Sequence, residues 1–244
     1  MDGRLGSFDT ETDSADPEDA RIITATLLFV GGGLERVDRS WLLKPERDIP
    51  AEATAIHGIT TAHAAEHGQD RHAALSEICE QIAEVFRHAT PLIVFNSAFD
   101  LTLLDREARR AGVTPVGDRL REGALYGPVL DPYVIDKQVD RYRRGKRTLG
   151  AMCEHYGIDL GEAHDATADA LGAARLAYAL AKRFPVEVGD RSPELLHAFQ
   201  IDWRAEQQKS LGEYFAKQGK GEVPDGSWPL KFFTSAEDAE AVSS

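Results

Sequence analysis

Two carboxylates at positions 9 and 11 open the chemistry of this 244-residue chain. Side chains two apart on a strand share one face, so Asp9 and Glu11 can converge on a single cation. A polar strand end running into an acidic loop accounts for the same pattern. Leu5 and Phe8 argue against it, because a buried strand rarely ends in two acids that lack a partner. Asp100 follows the apolar run Leu92 to Phe95, where a strand passes into a helix; alone, it reads as an acid answering the helix dipole. Asn96 is either a turn residue or a polar contact to substrate. His164 and Asp169 stand just before and just inside an Ala-rich helix. Taken singly, His164 reads as a surface histidine and its neighbour Asp165 as a side-chain cap.

The combination changes these readings. Four acids gathered at one point repel, and both burial and like charge raise their pKa values. Two divalent cations about 3.5–4 Å apart remove that penalty and clamp the attacking and leaving oxygens of a phosphodiester. Mg²⁺ keeps several of its waters, one of which can attack. A histidine titrating near neutrality is suited to take that water's proton. Oxygen donors and one histidine, without cysteine, point to a hard cation rather than zinc.

Several elements must hold these groups in place. Leu5 to Thr10 reads as a strand, Arg21 to Val30 as a second, and Glu35 to Leu43 as a third after the turn Gly31 to Gly33, together an antiparallel meander. Pro45 to Gly68 reads as loop and short helix. Leu75, Ile78, Cys79, Ile82, Val85 and Phe86 mark Ala73 to His88 as helical. Leu92 to Phe95 is a compact buried strand, and Ala98 to Ala111 a helix stopped by Gly112. Val129 to Asp131 reads as a short strand ended by Pro132. Thr148 caps a helix through Tyr156, and Ala166 to Phe184 is a helix stopped by Pro185. One more helix spans Pro193 to about Phe215, before a Gly-, Pro- and acid-containing tail that is expected to be loose at its end. The order implies an α/β fold, a mixed sheet flanked by helices. The expected division is a domain over residues 1–188 and a mostly helical C-terminal extension over 189–244.

Hydrophobic residues at 42% and charged residues at 28% fit a globular chain with a sizeable core. The sequence has no apolar run of about 18 residues or more to span a membrane and no apparent signal peptide. Cys79 and Cys153 are far apart, which suits core filling and a cytoplasmic setting rather than disulfide or zinc chemistry. A net charge of −13 argues against a protein that coats nucleic acid. It does not exclude an enzyme whose bound metals neutralise the site's acids.

Three segments carry a resemblance. Phe8 to Thr12 (FDTET), Phe95 to Asp100 (FNSAFD) and His164 to Ala170 (HDATADA) match in order the motifs of the DEDDh exonuclease superfamily, which includes bacterial DNA polymerase III epsilon subunits, RNase T and oligoribonuclease. The resemblance implies a ribonuclease-H-like five-stranded sheet and two Mg²⁺ or Mn²⁺ ions held by Asp9, Glu11, Asp100 and Asp169. It further implies a general base at His164 and release of nucleoside monophosphates from a 3′ end. The sister class carries tyrosine at the position of Asp165. Here His164, next to it, indicates the histidine class. Pro50 to Thr60 (PAEATAIHGIT) extends the likeness, which covers roughly residues 1–184. Phe95 departs from the histidine that relatives often carry there.

Thr10, Thr12 and Asn96 are candidate substrate contacts. Arg141, Arg143, Arg144, Lys146 and Arg147 form the one dense basic run, expected to attract a phosphate backbone. Single-stranded or 3′-end DNA is the leading substrate; an RNA exonuclease of RNase T or oligoribonuclease type is the alternative. A third reading is a non-catalytic module that binds a polymerase or sliding clamp. For that reading, Gln208, Leu211, Tyr214 and Phe215 resemble a clamp-binding peptide, although a helix packing on the domain explains them better.

Overall fold

The computed structural model describes residues 3–160 and 166–231. Its meander consists of β1 (Arg4–Thr12), β2 (Ile22–Gly31) and β3 (Val37–Leu42). β1 and β2 pair antiparallel, with Asp9 opposite Thr26 and Glu11 opposite Thr24, and the register shifts just after Glu11. Two short strands, β4 (Leu92–Ile93) and β5 (Val129–Leu130), continue the sheet in parallel beyond β1. The resulting mixed five-stranded order is β3-β2-β1-β4-β5. Because β1, β4 and β5 run the same way, the chain leaves all three at one edge of the sheet, where ligands collect in open α/β sheets.

Helices cover both faces. α1 (Ala51–His57) and α2 (Thr61–His67) lie in the segment expected to be loop and short helix. α3 (Arg71–Arg87) and α4 (Ser97–Arg110) bury Leu75, Ile78, Ile82 and Leu104 against Phe8 and Leu27. The other face is covered by α5 (Pro132–Val139), α6 (Leu149–His155) and α7 (Ala166–Arg183). Here Ala173, Leu176 and Ala177 meet Ile93 and Leu130. Alanine lets α7 lie close against the sheet, and the Ser7 hydroxyl donates to the Ala170 carbonyl at 2.7 Å. Cys79 and Cys153 are buried and free, as their core-filling reading requires.

The structure adds detail to three expectations. Pro132 does not merely end a strand. It starts α5 at a position where its missing N–H costs nothing, with the Asp131 side chain capping Tyr133 N. The core continues across the expected boundary at residue 188. Val188 and Leu196 pack in one cluster with Leu176 and Leu180, while Trp228 and Leu230 pack in the other with Phe8 and Leu104. The tail is held in place as far as residue 231. The Lys231 N–H donates to Thr102 Oγ1 at 2.8 Å, and Arg106 donates to the Lys231 carbonyl at 3.0 Å. Residues 232–244 lie outside those described.

α8 (Pro193–Lys217) is a helix as expected, but its buried side chains are Leu196, His197, Gln200 and Gln208. Their polarity has a reason. β5 is the outer strand, and its backbone groups need partners once α8 covers them. The Val129 N–H donates to His197 Nδ1 at 3.1 Å, Gln200 Nε2 donates to the Val129 carbonyl at 3.1 Å, and the Asp131 N–H donates to Gln200 Oε1 at 2.7 Å. Among the described residues no helix is long and apolar enough to cross a membrane.

Candidate active site

β1 delivers the first two acids as its alternation requires. Asp9 and Glu11 share a face with Ser7, the side on which α7 packs. α7 brings Asp169 in its first turn. Carboxylate oxygens of Asp9, Glu11 and Asp169 lie within 4.8 Å of one another, and all three residues are partly buried. Asp100 arrives from the first turn of α4 and is 5% exposed. It stands outside the tight trio but acts on Asp9 electrostatically.

The charges are arranged at a cost. The Asp9 carboxyl is held well above the ordinary carboxylate range, first by burial and then by Asp100, Asp169 and Glu11. Burial pushes Asp100 up to about 7; the Thr10 hydroxyl pulls against that rise, and Asp131 adds to it. Clustered acidic oxygens whose ionised forms are this disfavoured suit a hard divalent cation, which would reverse the penalty. The donor set therefore fits the ions implied by the motifs.

The predicted substrate contacts divide. Thr10 points to the α4 face, where its hydroxyl donates to Asp100 Oδ1 at 2.6 Å. Thr12 donates to the Ser14 carbonyl at 2.8 Å. Both hydroxyls are thus spent on the protein, and Thr10 acts as a positioning residue for Asp100. Asn96 takes a left-handed conformation (φ 59°), which asparagine tolerates better than most residues. Its N–H donates to Asp131 Oδ1 at 2.9 Å, while its side chain makes no capping bond to α4. In the basic run, Arg143 and Arg147 pair with the fully buried Asp136 at 3.0 and 2.7 Å. Arg141, Arg144 and Lys146 are exposed. His164 and Asp165 lie outside the described residues. Leu160, just before that segment, packs where a β-carbon on Gly172 of α7 would sit 2.1 Å from it.

Two contributors were not singled out from sequence. Asp131 accepts from the Asn96 and Ser97 N–H groups, each at 2.9 Å, and so fixes the turn that introduces Asp100. Its signal was an acid before Pro132, the N-cap and first-turn pattern of a helix. The other is His57, at the end of α1 in the segment that extends the motif likeness. It lines a cavity of about 490 Å³ together with Glu11, Trp41 and Ile59. Burial lowers its pKa and keeps the ring neutral. Nδ1 accepts from the Ile59 N–H at 3.1 Å, so the proton is on Nε2, which is buried without a hydrogen-bond partner.

The clamp-peptide expectation meets a mixed geometry. Gln208 is 8% exposed on α8, whereas Tyr214 is 57% exposed. α8 therefore packs through the glutamine that such a peptide would have to offer.

Known proteins resemble this chain. Residues 7–177 match the family model described as RNase T exonuclease. The DNA polymerase III subunit epsilon of Rickettsia conorii is 28% identical over 162 residues, covering 62% of this chain and 61% of that protein. The chain thus spans about three fifths of that relative. Exonuclease I from Methylocaldum szegediense shares the fold with a TM-score of 0.62 at 22% identity, over 81% of this chain and 45% of the other. E. coli Exonuclease I in complex with a dT13 oligonucleotide gives 0.62 at 18% identity, over 75% and 42%.

Proposed function

The chain belongs to the RNase T exonuclease family, and from that premise we propose that it removes nucleoside monophosphates from the 3′ end of single-stranded DNA by metal-dependent hydrolysis. The observation that carries this reading is the convergence of Asp9, Glu11 and Asp169 within 4.8 Å, with Asp100 acting on Asp9. These four carboxylates would hold two Mg²⁺ or Mn²⁺ ions. Such ions, when bound, supply charge stabilisation for the attacking and leaving oxygens of the phosphodiester.

The protein's own groups do the rest. Thr10 and Asp131 hold Asp100 and its helix start in place. His164, next to the helix that carries Asp169, is assigned as the base that takes the attacking water's proton. The cavity beside Glu11 receives the terminal nucleotide, with His57 in its wall. Asn96 contributes a second polar contact, and Arg141, Arg144 and Lys146 attract the approaching backbone. The DNA assignment draws on the names of the epsilon relative and of the oligonucleotide-bound Exonuclease I. A DNA polymerase is proposed as partner on the first of these names; co-elution with a replicative polymerase supports it, and separate elution removes it.

The decisive experiment digests matched 3′-labelled and 5′-labelled DNA and RNA oligomers in Mg²⁺ or Mn²⁺. Stepwise loss from the DNA 3′ end is expected, absent in Asp9→Ala and strongly reduced in His164→Ala. Preference for RNA would transfer the assignment to RNA. No digestion, or equal digestion by both variants, would sink the mechanism.

A further inference from the structure

A second polar cavity lies away from the carboxylates, where α5, the basic loop and α8 meet. It measures about 120 Å³, and its lining includes Lys137, Arg141, Arg147, Glu206, Gln207 and Ser210. Its cations are crowded together. Lys137 is half-buried, and its ammonium is pulled below the usual lysine range by burial and then by Arg204 and Arg147. Arg147 gives Nε to Asp136 and Nη2 to backbone carbonyls, and among the described residues Nη1 has no hydrogen-bond partner. Arg141 rests against the Tyr142 ring at 5.9 Å and has no ion pair among the described residues. Gln207 donates Nε2 to the Val134 carbonyl at 3.0 Å, while its own carbonyl oxygen is buried without a hydrogen-bond partner. Glu206 is exposed and forms no recorded ion pair with these cations.

A pocket with crowded cations and a hydroxyl matches the oxygens of a phosphodiester. Its position is also suitable. α5 begins at Asp131, which acts on Asp100. Lys137 lies six residues further along α5, about 9 Å at 1.5 Å per residue.

We propose that this cavity is a phosphate subsite for the DNA strand upstream of the scissile bond, shared between the exonuclease core and α8. The assignment rests on the exonuclease reading for its substrate class. Phosphate contacts release counterions, so each should appear in the salt dependence of binding. α8 then acts on substrate length: a strand long enough to reach the subsite is retained, and a shorter one is not.

The test uses the full chain in Mg²⁺ with a long single strand, a dinucleotide, inorganic phosphate and a nucleoside monophosphate. Lys137→Ala and Ser210→Glu are each expected to raise KM for the long strand about tenfold with kcat unchanged. Each should flatten the salt slope by about 0.7 for every lost contact. Dinucleotide turnover should hold within about twofold, and Lys137→Arg should restore the long-strand KM. Equal losses on the dinucleotide, or an unchanged KM and slope on the long strand, would overturn the proposal. So would thermal stabilisation by phosphate or the monophosphate that Lys137→Ala abolishes while long-strand KM stays constant, since the pocket would then hold a free anion. If the wild type degrades nothing, anisotropy of the labelled long strand still compares Lys137→Ala with wild type. The failure of the activity is thereby separated from the failure of the subsite.

Discussion

Asp136 and Asp9 are both aspartates withdrawn from water, and they are answered in opposite ways. Asp136 is fully buried and surrounded by donors: Arg143 at 3.0 Å, Arg147 at 2.7 Å and the Tyr156 hydroxyl at 2.7 Å. It anchors the basic loop as a finished piece of structure. The charges that act most strongly on Asp9 are other carboxylates, and its pKa rises accordingly. An acid answered by guanidinium is complete within the protein. An acid answered by acids is complete only with something cationic from outside, and that difference separates scaffold from site.

Four substitutions or conditions can break or sharpen this contrast. Asp9→Asn should cost about 10³-fold or more in turnover, since metal charge stabilisation is worth several kcal/mol. Folding stability should be unchanged or higher, because a repelling charge is removed. Denaturant melts that show a clear loss would place Asp9 with Asp136. Asp136→Asn should do the reverse, destabilising the fold by about 3–5 kcal/mol by breaking a buried charge network. A melt within about 1 kcal/mol of wild type would show that the network is not needed.

The third prediction concerns pH. In chelator-treated protein, Asp9 and Asp100 bind protons more tightly when folded than when unfolded. Their contribution to stability is therefore present at low pH and lost as pH rises through about 7 for Asp100. Melting temperature should fall between pH 6 and pH 8, by about 2–4 °C per kcal/mol lost. Mg²⁺ at about 100 times its Kd should restore about 2.7 kcal/mol at the higher pH. A trend that persists in Asp9→Asn/Asp100→Asn would assign it to the rest of this acidic chain. The smallest effect is expected of Thr10→Val, which removes a hydrogen bond to a carboxylate worth about 1.5–3 kcal/mol. The bond favours ionised Asp100, so its loss should shift the acidic limb of the pH–rate profile upward. An unmoved limb would leave Thr10 a packing role only.

Much of this could be read in the sequence because the relevant rules are local. Alternation along β1 placed Asp9 and Glu11 on one face, and the helix opening at Ala166 placed Asp169 in a first turn. The meander and the long helices α3, α4 and α7 were visible from periodicity and from breakers such as Gly112 and Pro185. What escaped depends on partners distant in the chain. Gln200 meets the Asp131 N–H across 69 positions, and Lys231 meets Thr102 across 129. A packing helix was expected there, but α8 buries histidine and glutamine, which an apolar stripe does not mark. The same limit hid the tie between Thr10 and Asp100, whose carboxylate comes from a different element.

The outer side of β5 has a consequence beyond this chain's own folding. A strand edge with open N–H and C=O groups is a template on which another molecule's strand can grow. His197 and Gln200 act as a stopper there, occupying the sites that an incoming backbone would use. Replacing both with Ala should make light scattering rise more steeply with concentration than in the parent chain. If scattering is unaltered, the two-residue length of β5 is protection enough. In that role α8 guards the chain against its own copies, a duty separate from the proposed chemistry a few residues away.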